Sequence, residues 1–186
     1  MKEHIIVGGP NGSGKTTFAK KLLAETNFVF LNADEIKLEM GNSDQMAGRE
    51  FFRRLDFLLE NEKIMMIENT LSGKYLIKLI KKARLSGFII KLCYLFLESA
   101  EDCIQRIKIR VQNGGHFIPD SDVRRRFQRS KTNFWLIYKN LTDKWFLFYN
   151  SNNDAPQKMA FGEKENFVVE LEERFSNFLI SVKNAG

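Results

Sequence analysis

Directly behind the apolar run His4-Ile5-Ile6-Val7 stands Gly9-Pro10-Asn11-Gly12-Ser13-Gly14-Lys15-Thr16, a full G-x-x-x-x-G-K-[ST] pattern. Such a run has few ways to fold. The glycines let the backbone turn back tightly, so that successive N–H groups point at one centre, and a helix beginning at Lys15 adds the positive end of its dipole. Strand, glycine loop and helix in that order make a cradle for phosphate. Lys15 is then placed to reach the β- and γ-phosphates of a nucleotide and Thr16 to ligate Mg²⁺.

The remaining chain repeats the rhythm. Apolar runs at His4–Gly8, Phe28–Leu31, Ile64–Glu68, Ile89–Leu97 and Trp145–Tyr149 read as strands. Between and after them lie helical patterns at Lys15–Glu25, Ser43–Glu62, Gly73–Ser86, Ser99–Gln112, Asp120–Asn140 and Glu165–Val182. Ser99, Asp120 and Ser121 stand where N-caps belong, and Gly87 where a helix ends. The alternation predicts an α/β fold: three layers, α/β/α, around a five-stranded, mainly parallel sheet. With 186 residues and no linker or repeat, the whole chain, 1–186, reads as one domain. Phe51, Phe52 and Phe57 fall at helical spacing and read as core.

Composition narrows the setting. No run approaches a membrane span, and the first strand begins too early for a signal peptide, so a cytoplasmic protein is expected. Cys93 and Cys103 have no partners at metal-ligand spacing and read as small buried hydrophobes. The net charge of +6 is modest for a duplex DNA binder. Much of the excess lies at Arg106, Lys108, Arg110, Arg124, Arg125, Arg126, Arg129 and Lys131, which face only Asp120 and Asp122.

In a sheet of this kind ligands bind beyond the carboxyl ends of the strands. After the first strand comes the phosphate loop; after the second, Asn32-Ala33-Asp34-Glu35; at the third, Glu68-Asn69-Thr70; after the fifth, Asn150-Ser151-Asn152. Two large classes of phosphate-loop proteins do not fit. Leu71-Ser72-Gly73-Lys74 lacks the Gly-Gln of a transporter ATPase signature, and no Asn-Lys-x-Asp offers itself to guanine. Small-molecule and nucleotide kinases remain. In such an enzyme the segment at about 106–130, with Gly114-Gly115 as hinge and arginines on either side, fits a small helical lid that covers the moving phosphate.

These residues resemble the zeta-toxin-like kinases, in particular a short stand-alone bacterial branch. The likeness is carried by the phosphate loop, Asn32-Ala33-Asp34, Glu68-Asn69-Thr70-Leu71-Ser72-Gly73, Arg110 through Pro119, Arg125-Arg126-Phe127-Gln128-Arg129-Ser130 and Asn150-Ser151. It runs nearly the whole chain and departs at Tyr149, where that branch usually has Asp. The resemblance implies a kinase with ATP and Mg²⁺; true zeta toxins phosphorylate a hydroxyl of UDP-N-acetylglucosamine. It also opens the reading of an antitoxin protein partner.

The expected nucleotide-binding set is therefore Gly9, Pro10, Asn11, Gly12, Ser13, Gly14, Lys15, Thr16, Thr17, Arg110 and Asn150, with Thr16 on the metal. Asp34 reads as general base for a small-molecule hydroxyl acceptor, Glu68 as a contact to that acceptor or to Mg²⁺-bound water, Thr70 as a further acceptor contact, and Lys15, Arg110 and Arg126 as the cations on the transferring phosphate. The alternative for Asn32 or Asp34 is to cap a helix running through Lys37. A polynucleotide or nucleoside kinase, or an ATP-binding regulatory module without catalysis, are the competing functions.

Overall fold

The structure, a computed structural model, describes residues 2–41, 43–151 and 155–183. Strand β1 (Glu3–Gly8) lies inside a sheet with β2 (Val29–Asn32), β3 (Met65–Asn69), β4 (Ile89–Phe96) and β5 (Lys144–Tyr149), in the order β2-β3-β1-β4-β5 and all parallel. Such a sheet needs both faces covered, and the near-continuous burial of β3 and β4 follows from that. On one face α1 (Lys15–Leu23) packs through Ala19 on Val7, Met66 and Leu95. The other face carries the larger core, built with α3 (Asp44–Glu60), α4 (Leu76–Leu85), α5 (Ala100–Gln112), α6 (Asp120–Asn133) and α8 (Glu172–Lys183). Because side chains alternate along a strand, Met65 and Ile67 join the large core while Met66 joins α1. Glu68, two residues on from Met66, thereby faces α1.

The sheet has seven strands rather than the five expected. Strands β6 (Gln157–Glu163) and β7 (Asn166–Val169) form a hairpin that extends β5 antiparallel, with Phe146, Phe161 and Val168 in one cross-strand row. The expected helix Glu165–Val182 accordingly divides into β7 and α8. Phe167-Val168-Val169 has the β-branched, aromatic make-up of a strand, and its pairing with β6 outweighs the helical spacing of its neighbours. The expected helix Asp120–Asn140 also divides. It runs as α6, then as a π-helical turn over Phe134–Tyr138, then as the short α7 (Lys139–Leu141). The wider turn lets Phe134 stack on Tyr94 with ring centroids 4.3 Å apart while Tyr138 stays buried.

Helix starts follow local chemistry. The Ser99 hydroxyl accepts from Asp102 N at 3.0 Å to cap α5, whereas α6 begins behind Pro119 with no side-chain cap, so Asp120 and Ser121 lie inside or at the edge of the helix. Gly87 ends α4 at φ +79°, with its N–H on the Arg84 carbonyl. A short α2 (Ala33–Glu39) precedes α3 and is capped by Asn32, whose Oδ1 accepts from Asp34 N at 2.8 Å. Of the phenylalanines expected in the core, Phe51 is buried, but Phe52 and Phe57 are exposed on the outer side of α3. Cys93 and Cys103 are free thiols in β4 and α5, and burial pushes both up to about 12. No helix among the described residues is long and apolar enough to cross a membrane.

His4 sits at the foot of β1, buried, stacked on Phe88 at 4.0 Å, with Nδ1 accepting from Met65 N. Burial lowers its imidazolium to about 4. The unfolded chain takes up this proton near pH 6.5 and the folded chain only near pH 4, so stability falls as pH drops through that window, by on the order of 3 kcal/mol. His4→Phe keeps the stack and removes the titration. Thermal melts from pH 7 to pH 4 are expected to show a shallower loss in this variant than in the parent.

Candidate functional site

The loop between β1 and α1 closes on itself. Ser13 N donates to the Pro10 carbonyl at 3.2 Å, and Lys15 Nζ reaches back to the same carbonyl at 2.9 Å. Gly12, at φ +80°, lies so close to α5 that a Cβ there would stand 2.6 Å from the Cys103 carbonyl oxygen. Gly14, at φ +88°, is the residue before α1 and leaves that helix without a side-chain cap. From the far side of the cleft Asn150 clamps the loop, its Nδ2 donating to Ser13 O at 2.7 Å. Two polar atoms of the loop, Asn11 Oδ1 and Ser13 Oγ, are buried with no hydrogen-bond partner among the described residues. Of these the Ser13 hydroxyl can donate, and together with the free N–H groups of an uncapped helix start it is the chemistry of an anion cradle.

Glu68 anchors the floor. At the carboxyl end of β3, in register with Val7, it accepts from Thr16 Oγ1 at 3.1 Å on Oε1 and from Asn32 Nδ2 at 2.8 Å on Oε2. Lys15 Nζ stands 3.9 Å from the same Oε1. Burial pushes the Glu68 carboxyl up and the Lys15 ammonium down, and each one's charge opposes the other's shift. Thr16 Oγ1 and the Glu68 carboxylate are hard oxygen donors. Among the described residues no cluster of three or more His, Cys, Asp or Glu could hold a metal by itself. This donor set suits Mg²⁺, which usually takes one or two protein oxygens and completes its shell with phosphate and water.

Around this floor opens a cleft of about 540 Å³. Loop and α1 contribute Asn11, Gly12, Gly14, Lys15, Thr16 and Thr17, with Phe18 and Lys21 beyond; the strand ends contribute Asp34 and Glu68. The α5 side supplies Arg106, Ile107 and Arg110, and the segment after β5 supplies Asn150, Ala155 and Pro156. Asp34 is exposed to the cleft, and because Asn32 does the capping of α2, its carboxylate is not used for that purpose. Arg110 donates from Nη2 to the His116 carbonyl at 2.9 Å, and Gly115 N donates to the Arg110 carbonyl at 2.9 Å, which folds the glycine loop onto the end of α5. His116 thus meets Arg110 through its backbone.

Five expected site residues do not line the cleft: Gly9, Pro10 and Ser13 lie within the loop behind it, and Thr70 and Arg126 turn elsewhere. Arg126 pairs with Asp122 at 3.4 Å on α6, and Thr70 turns its hydroxyl to Ser72 at 2.9 Å. Of the neighbouring arginines, Arg125 takes Asp122 and Arg124 takes Glu101. Asn152 lies outside the described residues. Conversely, Arg106, Lys21 and Phe18 line the cleft and stand outside the expected set. For Arg106 the signal was present: it precedes Arg110 by four residues, one helical turn along the same face of α5.

The turn from Thr70 to Gly73 has a different attachment. Ser130 donates to the Thr70 carbonyl, Asn133 Nδ2 to the Leu71 carbonyl at 2.8 Å, and the Tyr138 hydroxyl to the Gly73 carbonyl at 2.7 Å. Helix α6 and its π-helical continuation thereby carry the loop that follows β3.

Comparison with known proteins agrees with this geometry. The AAA domain family model matches residues 5–133. An uncharacterized protein of Haemophilus influenzae is 32% identical over 128 residues, covering 66% of this chain and 91% of that protein. Among solved structures, the AvrRxo1-ORF1:-ORF2 complex crystallised with ATP aligns with a TM-score of 0.75 at 17% identity over 96% of this chain, which spans 63% of that chain's length. The PezAT toxin-antitoxin system of Streptococcus pneumoniae aligns with a TM-score of 0.63 at 15% identity, over 100% of this chain and 87% of that one. At such identities the structural likeness is one of fold. With the family match spanning the phosphate loop, the strand-end carboxylates and both arginine helices, the chain belongs to the AAA domain family and has the fold of the zeta-toxin-like P-loop kinases that its motifs resemble.

Proposed function

We propose that this protein is an ATP-dependent phosphotransferase of zeta-toxin type that moves the γ-phosphate to a hydroxyl of a small-molecule acceptor. The observation that carries this reading is the convergence of Lys15, Thr16, Asp34, Glu68, Arg106 and Arg110 on one cleft. The loop N–H groups and Lys15 would hold the β- and γ-phosphates, with Arg110 and Arg106 adding charge from the opposite wall. Thr16 and Glu68 would hold Mg²⁺, which when bound offsets phosphate charge. Asp34 would accept the proton of the acceptor hydroxyl as its oxygen bonds to the γ-phosphorus and the bond to the β-phosphate oxygen breaks, releasing ADP. The segment at 106–130 would act as the lid, with Gly114-Gly115 at its bend. Arg126, paired with Asp122 and away from the cleft, would add at most a secondary charge on closure of the lid.

UDP-N-acetylglucosamine is the first acceptor to try, on the strength of the motif resemblance. Two-component assembly in AvrRxo1-ORF1:-ORF2 and PezAT supports looking for an antitoxin protein partner.

Incubation with γ-labelled ATP and a panel of UDP-sugars, nucleosides and oligonucleotides is expected to label one small hydroxyl acceptor. Retained ATP binding with transfer to none would favour a regulatory ATP-binding module, and labelled oligonucleotide a polynucleotide kinase. Asp34→Asn should leave ATP affinity within about twofold and lower transfer by roughly 10²- to 10⁴-fold, the range of a lost general base. Lys15→Ala should abolish measurable ATP binding in calorimetry. In steady-state assays Arg110→Ala should cost at least about tenfold more in kcat/KM than Arg126→Ala, since only Arg110 lines the cleft.

A further inference from the structure

The family match ends at residue 133, yet the clamp on the phosphate loop comes from Asn150. What holds Asn150 in place comes from the ends of β4 and β5 and, still further along the chain, from α8. Its own N–H donates to the Phe96 carbonyl at 2.9 Å, and the residue before it, Tyr149, ends β5 in register with Phe96 of β4. The Tyr149 hydroxyl donates to Glu98 Oε1 at 2.9 Å. Arg174, in the first turns of α8, donates from Nη1 to the same Oε1 at 2.8 Å and lays its guanidinium 3.9 Å from the centre of the Tyr149 ring. Glu98 also uses its backbone, donating from N to Ser151 Oγ at 3.0 Å, and Arg106 of the cleft wall reaches the Ser151 carbonyl at 3.4 Å.

Two donors on one carboxylate oxygen, with a guanidinium stacked on the ring of one of them, make a planar, directional joint. The side chains of Arg174 and Glu98 are 36% and 52% exposed, so the ion pair contributes little to folding in water. Its effect is geometric: it fixes the ends of β4 and β5 against each other at the point where the chain leaves the sheet toward the cleft.

We infer that Tyr149 and Arg174 are positioning residues for the nucleotide: joined on Glu98, they hold the exit of β5 so that Asn150 grips Ser13 O, and α8 thereby sets nucleotide affinity. This rests on the reading of the cleft as an ATP site. It also accounts for Tyr149 where the resembled branch usually has Asp, since the aromatic ring is what Arg174 stacks on.

The test is ATP binding by calorimetry and steady-state kinetics on the full chain, comparing the parent with Tyr149→Phe, Arg174→Ala, Arg174→Lys and Asn150→Ala. Arg174→Ala and Tyr149→Phe are expected to weaken ATP binding by about tenfold or a little less, as for loss of one charge-assisted contact, and to raise KM for ATP with kcat held within about twofold. Arg174→Lys keeps the charge without the planar stack and should recover only part of the affinity. Combined with Asn150→Ala, Arg174→Ala should add little, because both break one chain of contacts. Unchanged ATP affinity in Arg174→Ala and Tyr149→Phe, with the parent binding normally, would overturn the inference. A lower melting temperature without any KM shift would do the same by marking the joint as merely structural. A parent that binds no ATP would instead overturn the kinase reading, and the inference with it.

Discussion

The buried carboxylate of Glu68 is the point on which the site depends. It lies at the end of a strand covered on both faces, where an unpartnered charge would be costly, and it is satisfied by three residues at once: Lys15 and Thr16 from the start of α1 and Asn32 from the end of β2. Holding those three fixes the relative height of two strand ends and the first turn of α1. The same contacts decide what the cleft offers a ligand. Lys15 is held out of water, so a phosphate bound there would meet a cation already stripped of much of its hydration, while Thr16 is oriented beside a carboxylate oxygen. Asn32 donates from Nδ2 to Glu68 and spends its Oδ1 on capping α2, and so leaves Asp34, two residues on, lining the cleft without a capping duty.

On the opposite side the chain uses a second device. The loop after β3 is bonded carbonyl by carbonyl to Ser130, Asn133 and Tyr138, and Tyr138 owes its place to the π-helical turn that breaks an otherwise regular helix. The helix that follows the glycine loop is therefore fastened to the strand end that carries Glu68. Arginine-bearing α5, by contrast, touches the phosphate loop directly where Gly12 meets the Cys103 carbonyl. The two helices flanking Gly114-Gly115 thus report to different parts of the site, one to the phosphate cradle and the other to the turn beyond Glu68.

Much of this was legible in the residues. The five parallel strands and the helices between them follow from hydrophobic period; the phosphate loop follows from its motif, Asp34, Glu68 and Asn150 from the rule that ligands gather at carboxyl ends of strands, and Arg110 from the basic segment around the glycine hinge. Strand β7 does not stand out in the sequence because Phe167 shares a helical spacing with the apolar residues of α8; only its pairing to β6 resolves the ambiguity. Charge density makes the triple-arginine run with Arg126 conspicuous in the sequence. A helix surface full of charge satisfies itself locally, as Arg125 and Arg126 do on Asp122, whereas Arg106 stands where α5 faces the loop.

By itself the sequence determined that a strand, a glycine loop and a helix would cradle phosphate, because the backbone freedom of Gly12 and Gly14 and the charge of Lys15 are local properties of consecutive residues. The tertiary structure alone decided what those residues meet. That Glu68 bonds Thr16 across 52 positions, that Asn150 holds Ser13 across 137, and that Arg174 joins Tyr149 on Glu98 are consequences of strand order and helix docking. Contacts between distant segments depend on how the sheet is assembled, and no local pattern records them.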